Sequence, residues 1–182
     1  MLDDIAKILF PDERDNKKIN SKIKGNKQEL KIAKMLTKWT GKEFVRIPMS
    51  GGLRWKNAMN ICGDLLCTDP NYYFPLNIEV KHYKNFEIKE KLRINSRILR
   101  WYKQSLKDAY TSKKYPVLIV TRNYLKYHLF ISEAKFDKVK CIINYSNKLY
   151  GYKFEDVINE YDAKNFIEEF TKQISNIYGK NF

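Results

Sequence analysis

Gly63-Asp64-Leu65-Leu66-Cys67-Thr68, a turn at Asp69-Pro70-Asn71, and Leu76-Asn77-Ile78-Glu79-Val80-Lys81-His82 form the stretch that decides the fold. The two apolar runs read as adjacent strands. Asp64 is a lone acid opening the first. Glu79 and Lys81 stand two residues apart in the second, so they share one face while Ile78 and Val80 turn to the core. A carboxylate and an ammonium beside apolar strand residues are costly unless they pair or bind something. With Asp64 opposite Glu79, two carboxylates converge beside one lysine. That arrangement suits Mg²⁺, with the lysine placed to hold or polarise a water. The plainer reading of Glu-Val-Lys is a solvated face with its charges paired, and the rest of the chain bears on the choice.

The sequence upstream supplies a helix and a loop. Gly25-Asn26 precedes a predicted helix from Lys27 to about Thr40, with Leu30, Ala33, Leu36 and Trp39 at helical spacing and Ile32 and Met35 beside them. Gly41 stops it. Glu29 stands in its first turn, either complementing the helix dipole or reaching the carboxylate site. Glu43 to Ile47 reads as a strand. Pro48-Met49-Ser50-Gly51-Gly52 is a loop in which paired glycines allow close backbone approach. It continues through Arg54, Trp55 and Lys56, a mix suited to phosphates and bases. Ahead of all this, Met1 to Phe10 reads as a short amphipathic helix and Asp12 to Lys27 as a charged linker. Lys24 and Lys27 belong to its basic half, which could touch phosphate.

Downstream, eleven lysines and arginines fall between Lys81 and Lys114 against Glu87, Glu90 and Asp108. A helix from about Asn95 to Ser112 has Leu99, Tyr102, Leu106 and Ala109 as its core stripe. Arg97, Trp101, Gln104 and Asp108 make a second stripe, and Arg93, Arg100, Lys103 and Lys107 an exposed basic one. Val117 to Thr121 reads as a buried strand, Tyr127 to Ser132 as another. A short helix at Glu133 to Asp137, a strand at Val139 to Asn144 and a turn at Asn147 to Gly151 follow. Asp162 caps a last helix whose apolar stripe is Ala163, Phe166, Ile167, Phe170, Ile174 and Ile177.

The 182 residues suit one domain with a substantial core. A net charge of +14, from 35 Lys and Arg against 21 Asp and Glu, favours a polyanionic partner, nucleic acid first. No apolar run is long enough to span a bilayer and no signal-peptide pattern opens the chain, so the expected location is cytoplasmic, or a host cell's cytoplasm for a phage protein. Cys62, Cys67 and Cys141 read as reduced, mostly buried thiols. Two histidines, His82 and His128, argue against histidine-based nuclease or zinc-finger chemistry. No GxxxxGK[ST] pattern points to ATP.

Glu29 on the first helix, the Ser50-Gly51-Gly52 loop, Asp64 and Glu79-Val80-Lys81 together resemble the PD-(D/E)xK nuclease superfamily, most of all archaeal-type and phage Holliday-junction resolvases. The resemblance covers roughly Lys24 to Thr121 and includes Trp101-Tyr102-Lys103-Gln104 and Tyr115-Pro116-Val117-Leu118-Ile119-Val120. It implies an α/β restriction-endonuclease-like core, a mixed central β-sheet flanked by helices, within a single domain. Residues 1–23 would be an N-terminal extension and 122–182 C-terminal strands and helix. It further implies Asp64, Glu79 and the Val80 carbonyl as ligands for Mg²⁺, with Mn²⁺ as substitute. Lys81 would orient the attacking water or stabilise charge on the phosphate, Glu29 hold a metal-bound water or second ion, and Ser50 and Gln104 assist. Gly63 replaces the superfamily's proline before the first acid. The implied activity is endonucleolytic cleavage of DNA, with four-way junctions as substrate and a homodimer as the acting form. A restriction-type or other endonuclease on the same core is the alternative, and a non-catalytic nucleic-acid-binding protein a further one.

Overall fold

The computed structural model describes residues 13–47, 62–84, 97–123, 125–145 and 148–179. Helix α1 (Glu13–Thr40) leads to a two-stranded antiparallel pair, β1 (Phe44–Arg46) and β2 (Leu65–Cys67). Strand β3 (Leu76–Tyr83) then opens a five-stranded sheet with β4 (Tyr115–Arg122), β5 (Leu129–Ser132), β6 (Ile143–Tyr145) and β7 (Leu149–Lys153). Helix α2 (Arg97–Ser112) joins β3 to β4, while α3 (Phe154–Glu160) and α4 (Ala163–Tyr178) end the chain. The sheet order is β3-β4-β5-β7-β6. β3 and β4 run parallel across the α2 crossover, and the other pairings are antiparallel. This mixed sheet flanked by helices is the restriction-endonuclease-like core that the sequence implies.

Two apolar layers hold it. On one face Leu76, Ile78, Val80, Val117 and Ile119 pack with Ile32, Ala33 and Leu36 of α1 and Phe166, Phe170 and Ile174 of α4. On the other, Leu118, Val120, Leu129 and Ile131 pack with Ile98 and Tyr102 of α2. The alternation along β4 puts successive residues into opposite layers, as period two requires. The three strands after residue 122 extend the same sheet, so the C-terminal part of the chain is built into the core.

Several expectations need correction. From Glu13 on, the stretch expected as a charged linker is helix: α1 runs Glu13–Thr40, 28 residues in all. No proline interrupts it, and its Lys, Gln and Glu content favours helix despite Gly25. Glu29 therefore lies mid-helix, where the dipole argument does not apply. Leu30 is exposed, because the buried arc runs through Ile32, Ala33 and Leu36. The first strand of the opening stretch pairs with β1 and meets β3 only at its start, through the Asp64 amide and the Ile78 carbonyl at 2.9 Å.

Helix α2 buries Ile98, Tyr102, Ser105 and Ala109 in place of the Leu99/Leu106 stripe. Ser105 is satisfied there by donating to the Val117 carbonyl at 3.2 Å. Residues 133–137 are not helical. The Lys135 amide and carbonyl are taken by the Gln173 side chain and the Phe136 amide by the Tyr152 hydroxyl, which leaves little for a helical ladder. The strand expected at Val139 to Asn144 begins only at Ile143. The region expected as a turn at Asn147 to Gly151 is largely β7, in which Gly151 leaves room for the Ile143 side chain. The short helix α3 carries no clear periodic signal. Asp162 does cap α4, accepting from the Asn165 amide, but Ile177 is exposed. Cys62 and Cys67 are half-buried and Cys141 is exposed, all without disulfides. The expected helix at Met1 to Phe10 lies outside the described residues.

Candidate active site

Strand β3 is an edge strand of the five-stranded sheet, and Asp64 sits against its open side. The Asp64 amide donates to the Ile78 carbonyl, and the Val80 amide donates to Asp64 Oδ2 at 2.8 Å. Within a strand, the amide and carbonyl of one residue point the same way, and so do those of residues two apart. The Val80 carbonyl is therefore directed to the Asp64 side, away from the β4 ladder. Gly63 makes this approach possible. Its φ is +86°, and an added Cβ would stand 2.8 Å from Asn77 Oδ1 and 2.9 Å from the Ile78 carbonyl oxygen.

Asp64 and Glu79 are both buried, at 6 % and 4 % exposure. Glu79 is pushed up to about 7 by burial and by the charge of Asp64, with Lys81 acting in the opposite direction. The Lys81 ammonium forms an ion pair with Glu79 Oε1. Burial pulls the Lys81 ammonium down, but the charges of Glu79, Asp64 and Asp108 outweigh it and hold it above its ordinary value. A buried acid prone to hold its proton beside a second buried acid is a site short of positive charge. Among the described residues no three of His, Cys, Asp and Glu cluster as a metal-binding group. The oxygen donors that do converge are two carboxylates and one main-chain carbonyl, a hard set suited to Mg²⁺ rather than to a softer ion.

Helix α2 roofs this face. With Ile98, Tyr102 and Ser105 turned to the core, the stripe of Trp101, Gln104 and Asp108 turns to β3. Gln104 Nε2 donates to Glu79 Oε1 at 3.3 Å. Arg100 and Lys107, exposed, stand one turn before and after Gln104, and exposed Lys103 is next to it. Glu29 enters from α1. It stands three residues before Ile32 and four before Ala33, hence on the buried side of the helix. Burial and the Asp64 charge raise its pKa, against the Arg46 guanidinium that pairs with it. Arg46 also lines a groove of about 700 Å³ between α1 and β1.

The structure thus brings together Glu29, Asp64, Glu79, Val80, Lys81 and Gln104 of the sequence-predicted set. Ser50, Arg54, Trp55, Lys56 and Arg93 lie outside the described residues. Lys24 and Lys27 are exposed on α1, and Arg97 is half-buried over the Tyr83 ring. The sequence reading missed Arg46, whose place opposite Glu29 depends on strand β1 packing against α1. It also missed Asn77, buried on the Glu79 face with neither side-chain polar atom hydrogen-bonded. Its signal was available, since Asn77 precedes Glu79 by two and so shares its face of the strand.

The model of the family described as "Phage putative PDDEXK endonuclease" matches residues 20–179. The chain belongs to this family. No curated protein matches it. The matched span of this PDDEXK family member runs from α1 to the end of α4 and so contains the whole carboxylate–lysine cluster as well as the C-terminal strands. No helix among the described residues is long and apolar enough to cross a membrane.

Proposed function

We propose that this PDDEXK family member is a Mg²⁺-dependent DNA endonuclease that acts on branched DNA, four-way junctions above all, as a homodimer. The observation that carries the reading is the buried pair Asp64 and Glu79 beside Lys81 at the open edge of β3. Asp64, Glu79 and the Val80 carbonyl would hold the ion. Once bound, it supplies positive charge to offset the negative charge developing on the phosphate. Lys81, tethered to Glu79, would orient the attacking water or stabilise charge on the phosphate. Gln104 fixes the Glu79 carboxylate from the helix side, and Arg46 holds Glu29 toward Asp64. The exposed row Arg100, Lys103 and Lys107 borders the cluster and suits the phosphates that flank a cleaved bond. Among the described residues each chain carries one such cluster, so paired cuts across a symmetric junction call for two copies.

Purified protein with Mg²⁺ on a panel of four-way junction, flap, linear duplex and single-stranded DNA tests this. Paired nicks on the junction at lower enzyme concentration than on matched duplex are expected. Equal cleavage of both would point to a nuclease of another specificity in the same family. No cleavage of any DNA with Mg²⁺ or Mn²⁺ would sink the catalytic reading.

A further inference from the structure

Glu79, Lys81 and Tyr83 succeed one another on one face of β3. Tyr83 lies four residues beyond Glu79, so at about 3.3 Å per residue it stands ~13 Å along the strand from the acid. The Arg97 guanidinium lies over the Tyr83 ring, 3.9 Å from its centroid. The Trp101 ring flanks it, with centroids 6.0 Å apart and planes inclined at 55°. Trp101 is one turn before Gln104, which touches Glu79, so one helix face carries both the aromatic cluster and the contact to the acid. Tyr83 is 38 % exposed, between the enclosed aromatics of the core and the more exposed Tyr73 and Tyr110.

A guanidinium plane backed by an aromatic ring, with a second ring beside it, is a surface on which nucleobases stack. A base inside a duplex has both faces covered by its neighbours, so it cannot use such a surface without leaving the stack. We infer that Arg97, Tyr83 and Trp101 form a stacking site for one unpaired nucleobase of the strand whose phosphate sits at Asp64 and Glu79. The ~13 Å offset is about four base steps of 3.4 Å. The site therefore reads the presence of an unpaired base a few nucleotides from the cut, not its identity, because every base has a π-face. This rests on the nuclease reading and deepens it: the feature selected in branched DNA is an unstacked nucleotide at a set distance.

The test uses the full chain in EDTA, so that no cutting occurs. Each DNA carries a single unpaired 2-aminopurine, placed in turn at positions within six nucleotides of a branch point, and a fully paired duplex is the control. Anisotropy of an end label reports binding, and 2-aminopurine fluorescence reports stacking. Expected is several-fold quenching at one or two adjacent positions on binding. Tyr83→Ala and Trp101→Ala should abolish it and weaken the unpaired-base complex roughly tenfold, with less than twofold effect on paired duplex. Tyr83→Phe should keep the quenching, and Arg97→Ala should reduce it. Should Trp101→Ala fail to melt cooperatively, Tyr83→Ala and Tyr83→Leu decide, since that ring is more than one-third exposed. Binding with an unquenched base at every position, or equal quenching in wild type and Tyr83→Ala, overturns the stacking site alone. An absence of anisotropy change with every DNA, in EDTA and again with Ca²⁺ in place of Mg²⁺, overturns the nuclease reading beneath it.

Discussion

Asp64 and Glu79 are buried where a neutral pair would cost less, and the proposed metal site is what would use their charge. Asp64→Asn and Glu79→Gln should each reduce DNA cleavage to background while leaving DNA affinity within about twofold. Gel-shift titration beside a cleavage time course checks this, and Mg²⁺-dependent cutting at the wild-type rate in either variant would reject the assignment. Lys81→Ala should slow cleavage by roughly 10²–10³-fold, the usual loss when a donor that orients the reacting groups or offsets developing charge is removed. If it cuts normally, Lys81 serves only to neutralise Glu79. Gly63 tests the geometry rather than the chemistry. An alanine there needs an unfavourable φ of +86° and drives its Cβ into Asn77 and the Ile78 carbonyl. Gly63→Ala should cost about 2–3 kcal/mol in urea unfolding and lose activity even though no acid is touched.

Elements decide which of these side chains meet. Helix α2 is amphipathic in two senses: one side closes the second apolar layer, and the adjoining side presents Gln104 to Glu79 and a basic row to solvent. Replacing Arg100, Lys103 and Lys107 together by alanine should weaken all DNAs similarly and make the salt dependence of log K shallower by about 2–3, at roughly 0.9 for each phosphate no longer neutralised. An unchanged slope would place DNA on another face. A second junction of elements lies away from the site. The Glu155 carboxylate, in the first turn of α3, accepts from the His128 amide and pairs with its ring, tying α3 to the start of β5. Burial acts to raise the Glu155 pKa, but the His128 hydrogen bonds and charge outweigh it and hold it below the ordinary value. A depressed carboxylate stabilises the fold above its unfolded pKa, and that contribution is lost as pH falls through the folded one. Glu155→Ala should therefore lower Tm at pH 7, by the equivalent of about 1–3 kcal/mol. The deficit should shrink as pH falls below ~4, where the unfolded carboxyl is already mostly protonated and the folded one begins to be. A deficit independent of pH would mean that the pair contributes packing alone.

At the scale of the molecule, a charge of +14 on 182 residues gives a field that draws in any polyanion, and the carboxylate cluster is a local acidic patch within it. Light scattering on free and junction-bound protein should show two chains, with paired nicks on opposite strands. A strictly monomeric complex that still cuts both strands at symmetric positions would require sequential binding and would remove the dimer from the proposal.

Much of this was legible in the chain before folding. Period two at Ile78-Glu79-Val80-Lys81 placed the acid and the lysine on one face, because strand geometry is local. The lone Asp64 before an apolar run, the prolines and glycines at the element ends, and the sign of the charge needed no tertiary knowledge either. What the sequence could not decide depends on which partner an element finds. Leu99 and Ser105 are both acceptable to a helix, and only the Val117 carbonyl beneath α2 made Ser105 the buried one. That choice turned Trp101, Gln104 and Asp108 toward β3. Glu29 looked like a helix-start acid until α1 proved to begin at Glu13 and Arg46 met it from another strand. Gly151 read as a turn residue because nothing local says that Ile143 will press against it. Local propensity wrote the elements, and the burial of each against a distant neighbour set the rotation that makes the site.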